Sequence, residues 1–412
     1  MKRNSDAEMG RREFLQRGAA ALGAVSMGVG GAAADDDGAP RIRRVVKLGT
    51  TDLEISDIGM GTGGLRDADL VRHAFARGIT YFDTAEDYPF SSKGAAERAL
   101  GEGLAGVRDQ VVIASKTAAG ASEKRAKFMR SLEASLGRLR TDRIDVYLNH
   151  AVNSIRRVEN DEWWEFVALA KAQGKIRYTG ISGHGGRLAR CLGYVLDNKL
   201  VDVVLVAHNF GQDPAFHQRF TGAFDYVAVQ PELPNLLERA HAAGVGTIAM
   251  KTLRGAKLND MRPYEWGGAT FAQAAFRWVL ANKNVDALIV TMNSRGDIDE
   301  YVAASGQTKI RKADLRLLDH YVEKNDATYC RPGCDLCHAA CPEGVEVSEV
   351  LRVRMYAADY GDVEMARGTY AQLGRGASPC VECANPACTA ACPYGLDVSK
   401  LTRSVPRLLD LV

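Results

Sequence analysis

The chain has 412 residues, enough for one large domain and a small one. It sets 53 Lys and Arg against 51 Asp and Glu, a balance that excludes the basic face of a nucleic-acid binder and offers no charged face to a polyanion. No apolar run after residue 40 approaches the ~20 residues of a membrane span.

The first element is GRREFLQRGAAALGAVSMGVGGAAADDD. Arg11 and Arg12 are followed by Phe14 and Leu15, then by a weakly apolar Ala/Gly stretch ending at Ala32, Ala33 and Ala34. Charge, apolar run and small-residue site in that order mark an export signal, assigned to residues 1–34. The arginine pair resembles a twin-arginine signal, with Gly10 and Gln16 standing where Ser or Thr and Lys are usual. The resemblance implies a folded, cofactor-loaded passenger of the twin-arginine translocon and a periplasmic or other extracytoplasmic location. A disordered basic tail on a cytoplasmic protein is the alternative.

From Arg41 to about Ser305, short β-branched runs alternate with longer stretches of helical spacing. The predicted strands are 57–62, 79–84, 111–117, 145–150, 176–182, 202–209, 245–250 and 286–292. Between them, segments such as SEKRAKFMRSLEASLGRLR and DEWWEFVALAKAQG repeat apolar residues every three or four positions. Gly78, Gly174 and Gly244 fall where helix C-caps belong. Eight such units predict an α/β fold, a (β/α)8 TIM barrel over residues 41–311. The rival is a doubly wound open sheet, whose first turn normally carries GxGxxG; GMGTGG lacks that spacing. Residues 312–325 are predicted as one more helix, leading into a second domain at 312–412.

Barrel chemistry sits where strands end at the C-terminal face. Those ends read Thr62, Asp83, Lys116, His150, Ser182, Asn209 and Lys251, with Tyr88 five residues beyond Asp83. Each alone has a bland reading as a cap or a solvated group. Titratable groups after strands two, three and four in turn point to a site. FDTAEDY, VVIASKT and DVYLNH, with Gly59 to Thr62 before them, resemble the tetrad neighbourhoods of the aldo-keto reductases. The resemblance implies Tyr88 as proton donor to a carbonyl, Lys116 beside it, Asp83 as partner of Lys116, and His150 as the orienting residue. The chemistry asks for such groups in any case. Hydride addition to a carbonyl leaves charge on oxygen, so a protonated donor must meet it, and an ammonium beside a phenol is expected to lower its pKa.

Nothing in the tetrad is redox-active, so NADPH or NADH is the expected hydride source. By resemblance, Ser182 and Asn209 hold its carboxamide. Thr62 lines the site, and Lys251, Arg254, Ser294 and Arg295 lie in the loops where barrels bind phosphate. The pattern departs from the family's in three places. Gly183 and His184 follow Ser182, Met250 or Lys251 replaces the aromatic that stacks on the nicotinamide, and Asp297 and Tyr301 replace an Arg and an Asn. A carboxylate at Asp297 would repel a 2′-phosphate.

Eight of the nine cysteines lie in CRPGCDLCHAACP and CVECANPACTAACP, both ending C-x3-C-P. That ending is the one found in iron–sulfur motifs. Zinc ligation and cross-motif disulfides are the alternatives. SEVLRVRMYAADYG and VEMARGTYAQLG between them read as helices, so the segment resembles an α-helical ferredoxin, and the fusion resembles the iron–sulfur branch of the aldo-keto reductases. The resemblance implies two [4Fe–4S] clusters, on Cys330, Cys334, Cys337 and Cys392 and on Cys380, Cys383, Cys388 and Cys341. A single cluster is the alternative. Cys191 reads as core.

The chain is thus read as an oxidoreductase that moves a hydride between a nicotinamide and a small carbonyl or alcohol substrate, joined to an electron carrier with a redox partner protein. The rival is an iron–sulfur electron-transfer or assembly protein whose barrel does not catalyse.

Overall fold

The computed structural model describes residues 38–185, 187–212, 232–253, 261–266, 268, 270–325, 330, 334–359 and 362–411. The expected signal at 1–34 and Arg254 lie outside the described residues. A hairpin opens the fold, β1 (Val45–Lys47) antiparallel to β2 (Glu54–Ser56); the sequence reading does not anticipate it. Leu48, Leu53 and Ile55 join the buried cluster of Tyr81, Val146, Val203 and Ile248. Thr50 bonds the Gly244 carbonyl and Asp52 bonds Tyr178, near the strand starts. The hairpin therefore plugs the N-terminal end of the ring.

Eight parallel strands follow: β3 (Ile58–Gly61), β4 (Tyr81–Asp83), β5 (Val112–Thr117), β6 (Ile144–Asn149), β7 (Ile176–Gly183), β8 (Val203–Ala207), β9 (Gly246–Met250) and β10 (Ala287–Thr291). β10 pairs back onto β3 from Leu288↔Ile58 to Thr291↔Gly61, closing the barrel and excluding the open sheet. Every residue of β5 and β6 is buried, because core lies on one face and helices on the other. A Cβ on Gly180 would run into the Val203 carbonyl oxygen, so β7 and β8 can approach only with glycine there.

The outer ring is α1 (Ala68–Ala76), α2 (Ala95–Gly103), α3 (Arg125–Leu139), α4 (Asp161–Ala172), α5 (Leu188–Asp197), α6 (Leu233–Ala242), α7 (Phe271–Leu280) and α8 (Arg295–Val302). Gly78, Gly174 and Gly244 follow α1, α4 and α6 with φ of 90°, 69° and 73°, the left-handed stop that only glycine adopts cheaply. α9 (Lys312–Asn325) lies on α7, with Leu317, Leu318 and Tyr321 against Phe271. Between them the Arg277 fork meets the Asp314 carboxylate at 2.7 and 2.9 Å, both side chains fully buried. Against the upward push of burial, Arg277 and Arg311 hold the Asp314 carboxyl down at about 2.

Beyond residue 334 the described elements are short helices. Single turns at Leu336–Ala339, Ser378–Val381 and Ala387–Ala390 carry Cys337, Cys380 and Cys388. α10 (Val347–Arg354) runs into a π-helical turn, Met355–Asp359, and is followed by α11 (Val363–Tyr370). Val345, Val350, Leu351, Leu396, Val398 and Val405 form their small core, with cysteines at its margin. This segment sits on the barrel's C-terminal face. Gly368 of α11 seats so closely on Phe90 that a Cβ would stand 2.5 Å from it, Glu364 pairs with Arg66 at 3.1 Å, and Tyr356 meets Lys251.

Candidate active site

The four expected catalytic residues come together at the ends of three adjacent strands. Asp83 closes β4, Lys116 is the penultimate residue of β5, His150 follows β6, and Tyr88 hangs on the loop after β4. Lys116 Nζ donates to Asp83 Oδ1 at 2.5 Å and to the Thr84 carbonyl at 2.6 Å, wholly buried. It stands 5.3 Å from the centre of the Tyr88 ring. The Tyr88 hydroxyl lies 3.4 Å from His150 Nε2, the two rings edge to face at 5.6 Å.

The phenol's acidity corrects one expectation. Burial, then the charges of Asp83, Asp87 and Tyr356, push Tyr88 well above its ordinary pKa rather than below it. Lys116 spends its ammonium on Asp83 and a carbonyl and faces the ring, not the hydroxyl. The consequence is a donor fully loaded with its proton at neutral pH. Burial, with Lys116, Arg157 and Lys251 adding repulsion, pushes His150 far down, so its imidazole is neutral. Arg157 clasps the His150 carbonyl at 2.6 Å and Asn149 Oδ1 at 2.8 Å, fixing the turn that carries the ring. A carbonyl oxygen between Tyr88 and His150 would meet a proton donor and a neutral hydrogen-bonding ring.

Asp87 was not singled out by the sequence. Its Oδ1 is buried without a hydrogen bond, 3.7 Å from His150 Nδ1, and burial lifts its carboxyl to about 6. Its only signal was adjacency to Tyr88. Tyr356 had none, because it comes from the cysteine-bearing segment. Its hydroxyl accepts from Lys251 Nζ at 2.6 Å.

The residues expected at the cofactor are distributed around the same face. Thr62 is buried and donates to the Asp83 carbonyl at 3.0 Å. Ser182 accepts the Ala151 amide at 3.0 Å. Asn209 bonds the Lys251 carbonyl at 3.1 Å and the Gly211 amide at 3.0 Å. Lys251 itself holds a left-handed φ of 56°. Ser294 and the exposed Arg295 begin α8, where Ser294 and Asp297 cap each other's amides. Buried polar atoms without a hydrogen bond cluster at these strand ends: Thr84 Oγ1, Asn149 Nδ2, His184 Nδ1 and Thr252 Oγ1. Such groups are costly unless a ligand or water completes them, which fits a polar cofactor and substrate.

No disulfide joins any of the nine cysteines. Burial raises Cys337, and Cys330, Cys334 and Cys392 raise it further. Cys380 is raised by burial and by Cys341, Cys388 and Cys383. The thiols thus crowd in two fours, each of which would repel itself as thiolates without a cation among them. Cys341, Cys380, Cys383 and Cys388 line one cavity with Pro342 and Val345. Among the described residues, no three His, Cys, Asp or Glu side chains converge to hold a single metal ion. Cys191 is core, as expected.

The model of the Aldo/keto reductase family matches residues 57–264, just over half of the chain. L-galactose dehydrogenase of Arabidopsis thaliana is 26% identical over 298 residues, covering 62% of this chain and 86% of that protein. L-glyceraldehyde 3-phosphate reductase of Escherichia coli O157:H7 is 24% identical over 300 residues, covering 65% and 86%. Among solved structures, a thermostable aldo-keto reductase in complex with the inhibitor epalrestat superposes with a TM-score of 0.52 at 28% identity, covering 68% of this chain and 99% of that one.

Proposed function

The chain belongs to the aldo/keto reductase family, and from that premise we propose that it interconverts a small carbonyl compound and its alcohol, with Tyr88 as the acid. The observation that carries this reading is the Tyr88–His150 pair, backed by Lys116 and Asp83, among buried polar atoms that lack partners. A nicotinamide, when bound, supplies the hydride that adds to the carbonyl carbon. Tyr88 gives its proton to the carbonyl oxygen, completing the alcohol, and recovers one from water. His150, kept neutral, orients that oxygen. The Lys116–Asp83 pair anchors the wall behind the Tyr88 ring, and Ser182, Asn209 and Thr62 are the groups that would hold the carboxamide end.

Asp297 favours NADH over NADPH. Its carboxylate accepts the Asn293 and Ser294 amides at 2.9 and 3.1 Å, so the α8 N-terminus that a 2′-phosphate would use is already filled by an anion.

The eight cysteines are read as the ligands of two [4Fe–4S] clusters, in the sets Cys330, Cys334, Cys337, Cys392 and Cys380, Cys383, Cys388, Cys341. Their two-by-four crowding and the C-x3-C-P endings support this assignment. Clusters of that kind store and pass single electrons, for which a redox partner protein is the natural counterpart. Residues 1–34 are read as a twin-arginine signal directing the folded protein to the periplasm; a cytosolic pool with an unprocessed N-terminus in fractionated cells would overturn it.

Purified protein with its iron intact, offered NADH and a panel of aldehydes and ketones, tests the central reading. Consumption should fall ~10²–10⁴-fold in Tyr88→Phe with NADH affinity near normal. Equal turnover in the variant removes Tyr88 from the role.

A further inference from the structure

Each cysteine run leads into a repeat that the fold keeps. CPEGVEVSEVLR, residues 341–352, returns as CPYGLDVSKLTR, residues 392–403. In both copies the glycine is left-handed, Gly344 at φ 62° and Gly395 at φ 64°. Its amide closes a turn onto the cysteine carbonyl, at 3.2 and 3.3 Å. An acidic residue, Glu346 or Asp397, then begins a short helix, α10 or Val398–Arg403. Val345 with Val347, and Leu396 with Val398, are buried in one shared core. In sequence and in conformation the segment therefore holds two like halves, each with an arginine at the same place, Arg352 and Arg403.

The two arginines are used differently. Arg403 is exposed and donates to the carbonyls of Cys380 and Cys383, at 3.1 and 2.6 Å. Arg352 is only 5% exposed and pairs through two nitrogens with Glu349, at 3.1 and 3.3 Å. The other copy has Lys400 where Glu349 stands. Glu349, Arg352 and Tyr356 follow one another on successive turns, and Tyr356 accepts from Lys251 at the end of β9. Against the upward push of burial, Arg352 and Lys251 hold the Glu349 carboxyl down. Against the downward push of burial, Glu349, Tyr356 and Cys330 hold Arg352 up. The charges thus alternate from barrel to segment: the Lys251 ammonium, the Glu349 carboxylate, the Arg352 guanidinium, then the quartet that includes Cys330. His184, kept neutral by burial and by Lys251 and Arg352, marks how close this row comes to the barrel mouth.

We propose that the two quartets are electrically unlike and that Arg352 makes them so, its guanidinium stabilising the reduced form of the cluster on Cys330, Cys334, Cys337 and Cys392. That site then has the higher reduction potential. Reduction of a [4Fe–4S] cluster adds one electron and no proton, so the new negative charge stays on the cluster. A buried cation facing it lowers the energy of that state. Arg403 does far less for the Cys380 quartet, because water and salt screen an exposed charge. Of the two sites, the one an electron occupies first is the one nearer the barrel mouth. This inference rests on the cluster reading of the eight cysteines and is independent of the role given to Tyr88.

The test is a redox titration of the purified holoprotein with dithionite as electron donor, followed by electron paramagnetic resonance, beside its iron and sulfide content. Wild type should show two midpoint potentials, and Cys337→Ser should abolish the higher and spare the lower. Arg352→Met should make reduction of the higher-potential site at least tenfold less favourable, about 59 mV for one electron, with the lower potential in place. Arg352→Lys, which keeps the charge, should recover most of that shift. Glu349→Gln removes the facing carboxylate and should move the same potential the other way; it serves if Arg352→Met loses its iron. Arg403→Met should shift the lower potential by less than Arg352→Met shifts the higher. Equal shifts at both sites, no shift in Arg352→Met or Glu349→Gln, or loss of the lower signal in Cys337→Ser overturns the proposal and leaves the clusters standing. Wild-type protein without iron and sulfide defeats the cluster reading itself, and the inference with it.

Discussion

The barrel and the segment beyond residue 334 are stabilised by different means. In the barrel, eight strands close a ring filled by Tyr81, Val146, Leu148, Leu205 and Ile248, and the helices outside it bury large side chains such as Phe128, Trp163 and Phe166 against Tyr147. In the C-terminal segment the helices are one or two turns long, and the buried residues are mostly valine, alanine and leucine. A helix of one turn has no intrinsic stability in water, and so small a core rarely suffices alone. The barrel closes on its own strands, whereas such short helices around a small core are what the proposed clusters would hold together. Yet the second region packs on the loops at the first one's strand ends, through Gly368 on Phe90, Glu364 on Arg66 and Tyr356 on Lys251.

The sharpest way to break this contrast is to remove the iron that the proposed clusters would hold. Chelation under reducing conditions should abolish the C-terminal helices, with loss of protease resistance after about residue 330, while the barrel's thermal transition persists. A single shared transition before and after chelation would dissolve the distinction. If each quartet holds a cluster as proposed, Cys341→Ser and Cys337→Ser should each act on one of them, read as loss of about half the iron that wild type carries.

Next in size is the seam at α9. Asp314→Ala leaves Arg277 buried without its carboxylate, which should cost the barrel ~3–5 kcal/mol without altering the iron content. The pH dependence follows from the depressed carboxyl. With a folded pKa of about 2 against ~3.9 unfolded, its contribution is present above pH ~4 and is lost as pH falls through about 2. It amounts to on the order of 2–3 kcal/mol, and acid titrations of wild type and variant by circular dichroism should converge below that range.

Gly368→Ala probes the contact between the two regions. The added methyl collides with Phe90, and the overpacking should cost ~1–3 kcal/mol and reduce turnover while each region stays folded. Asp87→Asn is subtler. As pH falls through about 6, wild-type Asp87 gains a proton and its charge no longer opposes ionisation of Tyr88. An inflection near pH 6 in kcat/KM should therefore be present in wild type and absent in the variant. The smallest effect is Ser294→Ala, about 1 kcal/mol of α8 capping.

The barrel was legible because its signals are local. β-branched runs of strand length, helical spacing and Gly78, Gly174 and Gly244 each report on their own neighbourhood, and the closed ring follows from their number. The meeting of Asp83, Lys116 and His150 was legible for the same reason, as each lies at or just past a strand end whose position the pattern fixes, with Tyr88 on the loop after β4. The β1–β2 hairpin was not, since three-residue strands carry too little alternation to register. The direction of the Tyr88 shift was missed because it depends on where Lys116 points, and sequence spacing carries no rotamer. Tyr356 was beyond reach, because its place beside Lys251 is a contact between residues 105 positions apart in the chain.

That packing has a bearing on traffic. With α11 lodged on Phe90, Glu364 on Arg66 and Tyr356 on Lys251, the rim is roofed at three separate strand ends. A dinucleotide seated before the roof is laid would have no quick exit. Release of the spent dinucleotide, more than the proton transfer, would then pace turnover on added NADH.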